Sequence, residues 1–119
     1  MQSKDPLEFL PLSATDFQLL LSLADGGLHG YAINKSVRAA SDGRVRIGLG
    51  SLYRVIARLL NTGLVEECEA VENPNADGAR RRKYQLTDLG RGVLRAEVRR
   101  LSDAVELARS SQLFADREV

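Results

Sequence analysis

Arginine is the residue type best placed to do chemistry in this chain. Ser51, Arg54 and Arg58 recur at i, i+3 and i+7 in a stretch that is otherwise largely apolar. On a helix this spacing puts them on one face. Guanidinium groups on such a face reach guanine edges and phosphate oxygens. A second cluster, Arg80-Arg81-Arg82-Lys83, is a run of four cations. Constellations for catalysis are missing. One His and one Cys in 119 residues exclude His-pair and Cys-rich zinc sites and an intrachain disulfide. A Ser-His-Asp triad would depend on His29, and no nucleophile elbow accompanies it. Gly48-Leu49-Gly50 fails as a dinucleotide fingerprint, because the third glycine position, 53, is Tyr. No P-loop pattern is present. No enzymatic activity, metal or cofactor is expected.

The net charge of +1 carries no message by itself, but its distribution does. Residues 29–58 carry a net +5, from Lys35, Arg38, Arg44, Arg46, Arg54 and Arg58 against Asp42. Residues 59–79 carry −5, and Arg80–Lys83 return +4. Clustered cations, more than total charge, create the local potential that draws a polyanion. Apolar residues make up 44% and charged residues 28%, which suits one folded domain. No apolar run approaches the roughly 20 residues needed to cross a bilayer, and the N-terminus lacks a signal-peptide core. A reducing cytoplasm is the expected setting.

The elements that must hold these arginines follow from periodicity. Residues 1–12, with Pro6 and Pro11, read as an extended arm. Ser13 is a helix cap, and Phe17, Leu20, Leu21, Leu23 and Ala24 predict a helix over Ala14–Asp25. Ile33, Val37 and Ala40 predict a second helix over Gly30–Ala40 with a buried face. Leu52, Val55, Ile56, Leu59 and Leu60 make a stripe on a third helix that ends at Asn61-Thr62-Gly63. Residues 64–72 read as a strand, 73–78 as a turn, and 82–86 as a partner strand with Tyr84 and Leu86 on one face. Thr87 caps a long last helix over Asp88–Ser111. There Leu94, Val98, Leu101, Val105 and Ala108 alternate steps of four and three, a heptad seam that Leu89, Val93 and Ala104 widen.

Three helices, a hairpin and a long helix are the layout of an α+β, mostly α, winged helix-turn-helix. The expected organisation is an arm at 1–12, a DNA-binding domain at 13–87, and a dimerisation helix and tail at 88–119. In this layout the third helix reads the major groove and the hairpin is the wing. The DNA-binding candidates are Lys35, Arg38, Arg46, Ser51, Tyr53, Arg54, Arg58, Arg80, Arg81, Arg82 and Lys83. The seam residues Leu94, Val98, Leu101, Val105 and Ala108 have no further chain to pack on, so a second copy is the expected partner. Two reading helices would then lie about 34 Å apart on double-stranded DNA. The competing reading is a protein-interaction module for which DNA is secondary.

The blocks Leu28-His29-Gly30-Tyr31-Ala32-Ile33, Gly43-Arg44-Val45-Arg46, Gly50-Ser51-Leu52-Tyr53-Arg54, Arg58-Leu59, Gly63-Leu64-Val65 and Arg82-Lys83-Tyr84-Gln85-Leu86-Thr87-Asp88-Leu89-Gly90 resemble the PadR family of bacterial transcriptional regulators. The resemblance runs from about Leu19 to Leu107 and is closest to the small subfamily with a single dimerisation helix. It implies a homodimer that binds operator DNA, usually as a repressor, with small effectors such as phenolic compounds or drugs relieving binding. Gly48 and Leu49 depart from the family's frequent Ser-Pro pair, which removes two helix-start devices and leaves Ser51 more of the role. With no Trp and 5% aromatic residues, no stacking platform for a flat effector is apparent, so a small-molecule effector stays unidentified. His29 reads as a turn residue at the start of the second helix, Tyr31 as a core or interface residue, and Cys68 as a small strand residue. Tyr53 lies beside the exposed face, and its role stays open.

Overall fold

The computed structural model describes residues 5–44, 46–68 and 82–114. The first described segment corrects the extended arm. Pro6–Phe9 forms a short 3-10 helix, with Asp5 accepting a hydrogen bond from the Leu7 N–H at 3.0 Å. Pro at the first helical position suits such a turn, because its missing N–H has no intrahelical partner to lose.

Helix α1 (Ala14–Ser22) starts where the Ser13 hydroxyl accepts from the Asp16 N–H at 3.0 Å. It stops three residues short of the Asp25 end that the apolar stripe suggests. The N–H groups of Leu23 and Ala24 turn back to the Leu20 and Leu21 carbonyls in tighter i to i−3 bonds. Helix α2 (Gly30–Ala40) has the predicted bounds, and Ile33 and Val37 are buried. Ala40, expected on that buried face, is exposed in the last turn. Helix α3 (Leu49–Asn61) buries Leu52, Ile56 and Leu59, with Val55 and Leu60 half-buried beside them.

The sheet has one strand more than the sequence suggests. Strand β1 (Leu28–His29) is too short to show a period of two. Strands β2 (Val65–Cys68) and β3 (Lys83–Leu86) form the described part of the hairpin. The order is β1-β3-β2, and both pairings are antiparallel. Leu28 faces Tyr84, and Val65 faces Leu86. Tyr84 and Leu86 are buried on one face, as the alternation requires. Residues 69–72, expected to continue the first wing strand, lie outside the described residues.

Helix α4 (Asp88–Arg109) is capped by Thr87, whose hydroxyl accepts from the Gly90 N–H at 2.9 Å. A Cβ at position 90 would run into the Leu64 carbonyl, so only glycine lets α4 begin this close to β2. One core collects Leu19, Leu20 and Leu23, Ile33 and Val37, Leu52, Ile56 and Leu59, the sheet residues, and Val93 and Leu94. Among the described residues no helix is long and apolar enough to cross a membrane.

Candidate nucleic-acid interface

The candidate surface lies on α3, which the core stripe orients. Burying Leu52, Ile56 and Leu59 turns Ser51, Arg54 and Arg58 to solvent, as the i, i+3, i+7 spacing requires. Gly48 precedes the helix without a side-chain cap, so the first-turn N–H groups keep no side-chain acceptor there. Arg54 donates to the Ser51 hydroxyl at 3.1 Å, which draws the two candidates together at the N-terminal half of the helix.

Arg58 is differently engaged. Its two terminal nitrogens donate to the two carboxylate oxygens of Asp16, at 3.0 and 2.7 Å. The guanidinium is held charged even more firmly than usual, chiefly through that hydrogen bond. Asp16 is on the first turn of α1, 42 residues away in the chain.

A second tie fixes the turn between α2 and α3. The Asn34 side-chain amide donates to the Ile47 carbonyl at 2.8 Å, and Ile47 is buried just before α3. Sequence reasoning missed this residue, since an isolated Asn in a helix carries no signal about a carbonyl 13 residues on. Lys35 and Arg38 are exposed on α2. Arg46 is exposed ahead of α3 and donates to the Gly43 carbonyl at 3.1 Å.

Tyr53 is half-buried against the core, and its hydroxyl lies directly over Gly30 at the start of α2. A side chain at position 30 would displace it, so this glycine is a seat for the tyrosine. Tyr31 is not a core residue of the single chain, being 64% exposed. The first turn of α2 aims it outward, where it stacks on His29 with ring centroids 5.9 Å apart and planes 11° from parallel. His29 itself precedes α2, and its Nδ1 pairs with the Arg82 carbonyl at 3.1 Å, joining α2 to the base of the wing.

At that base, Arg82 lies 3.9 Å from the Glu67 carboxylate, and Gln85 donates to Glu66 at 2.8 Å across the strands. Part of the acidic strand is therefore paired within the sheet. Burial, then the nearby Glu67 charge, pushes the Tyr84 phenol up from its ordinary value, and Arg82 opposes the shift. Lys83 is half-buried in β3, while Arg80 and Arg81 lie outside the described residues. Cys68 sits in β2 beside Gly27, half-buried, as a strand residue.

The seam candidates divide. Leu94 is buried in the chain's own core. Val98 and Val105 are exposed, and Leu101 and Ala108 are half-buried.

A helix pair with a clamped turn, an arginine-bearing third helix, a small sheet with a hairpin and a long final helix together define a winged helix-turn-helix protein. The chain belongs to the transcriptional regulator PadR-like family, whose family model matches residues 19–96. A curated relative, an uncharacterized 37.1 kDa protein in a Streptomyces fradiae transposon, is 38% identical over 89 residues, or 73% of this chain. The chain spans only 23% of that relative's length. A transcriptional regulator from Clostridium thermocellum superposes with a TM-score of 0.63 at 21% identity, covering 94% of this chain and 99% of its own. A PadR family regulator from Clostridium difficile gives 0.65 at 20% identity, over 82% of this chain and 96% of that one. Bacillus subtilis PadR in complex with operator DNA gives 0.61 at 17% identity, over 88% of this chain and 63% of that one. At these identities the three structures share a fold with this chain.

Proposed function

We propose that this chain is a sequence-specific DNA-binding repressor that works as a homodimer on a pseudo-palindromic operator. The observation that carries the reading is the solvent-facing Ser51–Arg54 surface of α3, backed by an opposite face on which Leu52, Ile56 and Leu59 are buried. A helix so mounted can enter a major groove, where Arg54 offers a forked donor to guanine. Lys35 and Arg38 on α2, Arg46 ahead of α3 and Tyr53 on α3 supply further polar groups, and Arg82 and Lys83 stand at the base of the wing, with Arg80 and Arg81 next to them in sequence. These groups suit phosphate, which fixes register without reading sequence. Arg58 sits at the C-terminal end of the same face.

The distal half of α4 supports the dimer. Val98, Leu101, Val105 and Ala108 form a seam with open apolar surface, and a second copy offers the matching stripe. A solved relative from Bacillus subtilis is described with operator DNA, which supports the same role here.

Selection from random DNA by the full chain tests the proposal. The expected product is two inverted half-sites about one helical turn apart. Arg54→Ala should cost about 1–3 kcal/mol of specific binding and relax the base preference at one position per half-site. No enrichment, or a single half-site, would overturn the reading.

A further inference from the structure

Arg58 looks on the sequence like a second reading residue, yet the structure gives it a partner inside the chain. Both of its terminal nitrogens are spent on the two oxygens of one carboxylate, a fork-on-fork arrangement that fixes angle as well as distance. Asp16 is well placed to hold its side of the fork. Its side chain is 13% exposed against 53% for Arg58, so the carboxylate is the anchored partner and the arginine the one that reaches to it. Its own backbone is fixed by the Ser13 cap, and the N-terminal end of α1 favours a negative charge there. The pair joins the first turn of α1 to the last turns of α3, and the Asn34–Ile47 bond holds the entry to α3. The reading helix is thus pinned at both ends.

We propose that Asp16 is a positioning residue for DNA recognition: through Arg58 it sets the angle of α3, and base reading falls to the Ser51–Arg54 half of the helix. This rests on the DNA-binding reading above. Free energy of binding then depends on a carboxylate that touches no DNA. That gives the proposal an unusual sign. An acidic residue close to a DNA-facing arginine ordinarily repels phosphate and competes for the guanidinium, so its removal should strengthen binding. A positioning carboxylate does the opposite.

The test compares Asp16→Asn, Arg58→Ala, Arg58→Lys and the double variant Asp16→Asn/Arg58→Ala. The probe is the duplex that the wild-type chain enriches from random DNA, titrated at several salt concentrations. Wild-type enrichment checks the DNA-binding reading by itself, so its failure is separate from failure of the positioning role. The expected result is a loss on the order of tenfold for each single variant, the size of one good base contact misplaced. The double variant should be no weaker than Arg58→Ala, and the salt dependence should match wild type throughout. Lysine keeps the charge but cannot make the fork, so Arg58→Lys should lose affinity too. Unchanged or tighter binding by Asp16→Asn would overturn the proposal. So would a fall of about one in the salt slope for Arg58→Ala, since that marks a direct phosphate contact. Should Asp16→Asn not fold at the assay temperature, Arg58→Lys decides: weakened binding with an unchanged slope supports the role, and full affinity refutes it.

Discussion

The two halves of α4 have similar composition and opposite surroundings. The proximal half packs against the 3-10 helix, α1 and β3, and its Gly90, Val93, Leu94 and Glu97 are buried. In the distal half Val105 and Leu107 stand exposed, Leu107 at 74%. One helix thus serves first as a wall of the domain and then as an apolar projection. The heptad pattern begins at Leu94 in the proximal half and continues through the distal one, so a seam in sequence does not say which of its turns face a partner. What decides is whether other elements of the same chain reach that turn.

Glu97 marks the boundary. It is 1% exposed, and its carboxylate accepts from the Leu12 N–H at 3.0 Å and from Arg100 at 2.6 and 3.0 Å. A buried carboxylate needs such partners, because desolvating an unpaired charge is costly. The Arg100 hydrogen bonds, with help from the Leu12 N–H and against the effect of burial, hold the Glu97 carboxyl below the usual glutamate range. The last turn before the open half of α4 is thereby clasped to the N-terminal segment.

Three substitutions sharpen or break the contrast. Leu94→Ala should cost about 2–4 kcal/mol, read as a lowered thermal midpoint, because it opens a cavity in the core. A loss below about 1 kcal/mol would move Leu94 out of the domain and into the seam. Glu97→Gln should cost about 1–3 kcal/mol at neutral pH by removing the charged partner of Arg100. It should also change the pH dependence. A carboxyl with a depressed folded-state pKa adds stability that is complete above its unfolded value and vanishes as pH falls through the folded one. Acidification from about pH 7 to about pH 3 should therefore lower the wild-type midpoint more than that of the Gln variant. Equal falls would show that the Glu97 clasp does not contribute. Leu101→Glu should have the smallest effect on the fold, leaving the circular dichroism spectrum unchanged while halving the mass by light scattering. A mass that stays dimeric would place the interface off this seam.

The same contrast explains what could be read in advance. The bounds of α2, the caps at Ser13 and Thr87, and the buried stripe of α3 rest on local periodicity and local hydrogen bonds. The motif blocks from Leu28 to Gly90 carry the family in the same local way, and the family model covers much the same span. The 3-10 helix at Pro6–Phe9 was obscured by Pro6, which together with Pro11 suits an extended arm equally well. Strand β1 has two residues and is defined by its partner β3, so no pattern of its own announces it. Tyr31, read as a core or interface residue, is exposed in the single chain, in the first turn of α2.

From its order of residues alone, this chain specifies its four α-helices to within a few residues, the described strands β2 and β3, and the side of α3 that carries Ser51, Arg54 and Arg58, since a turn of helix or an alternation of strand is settled within a few neighbours. Which of these arginines is tied to a distant carboxylate was settled only by tertiary structure. Asp16 and Arg58 are 42 positions apart, and Leu12 and Glu97 are 85, so nothing local brings them together. Packing of one core does, and it gives Arg58 a carboxylate partner on α1 and makes an ordinary-looking glutamate the clasp of the long helix.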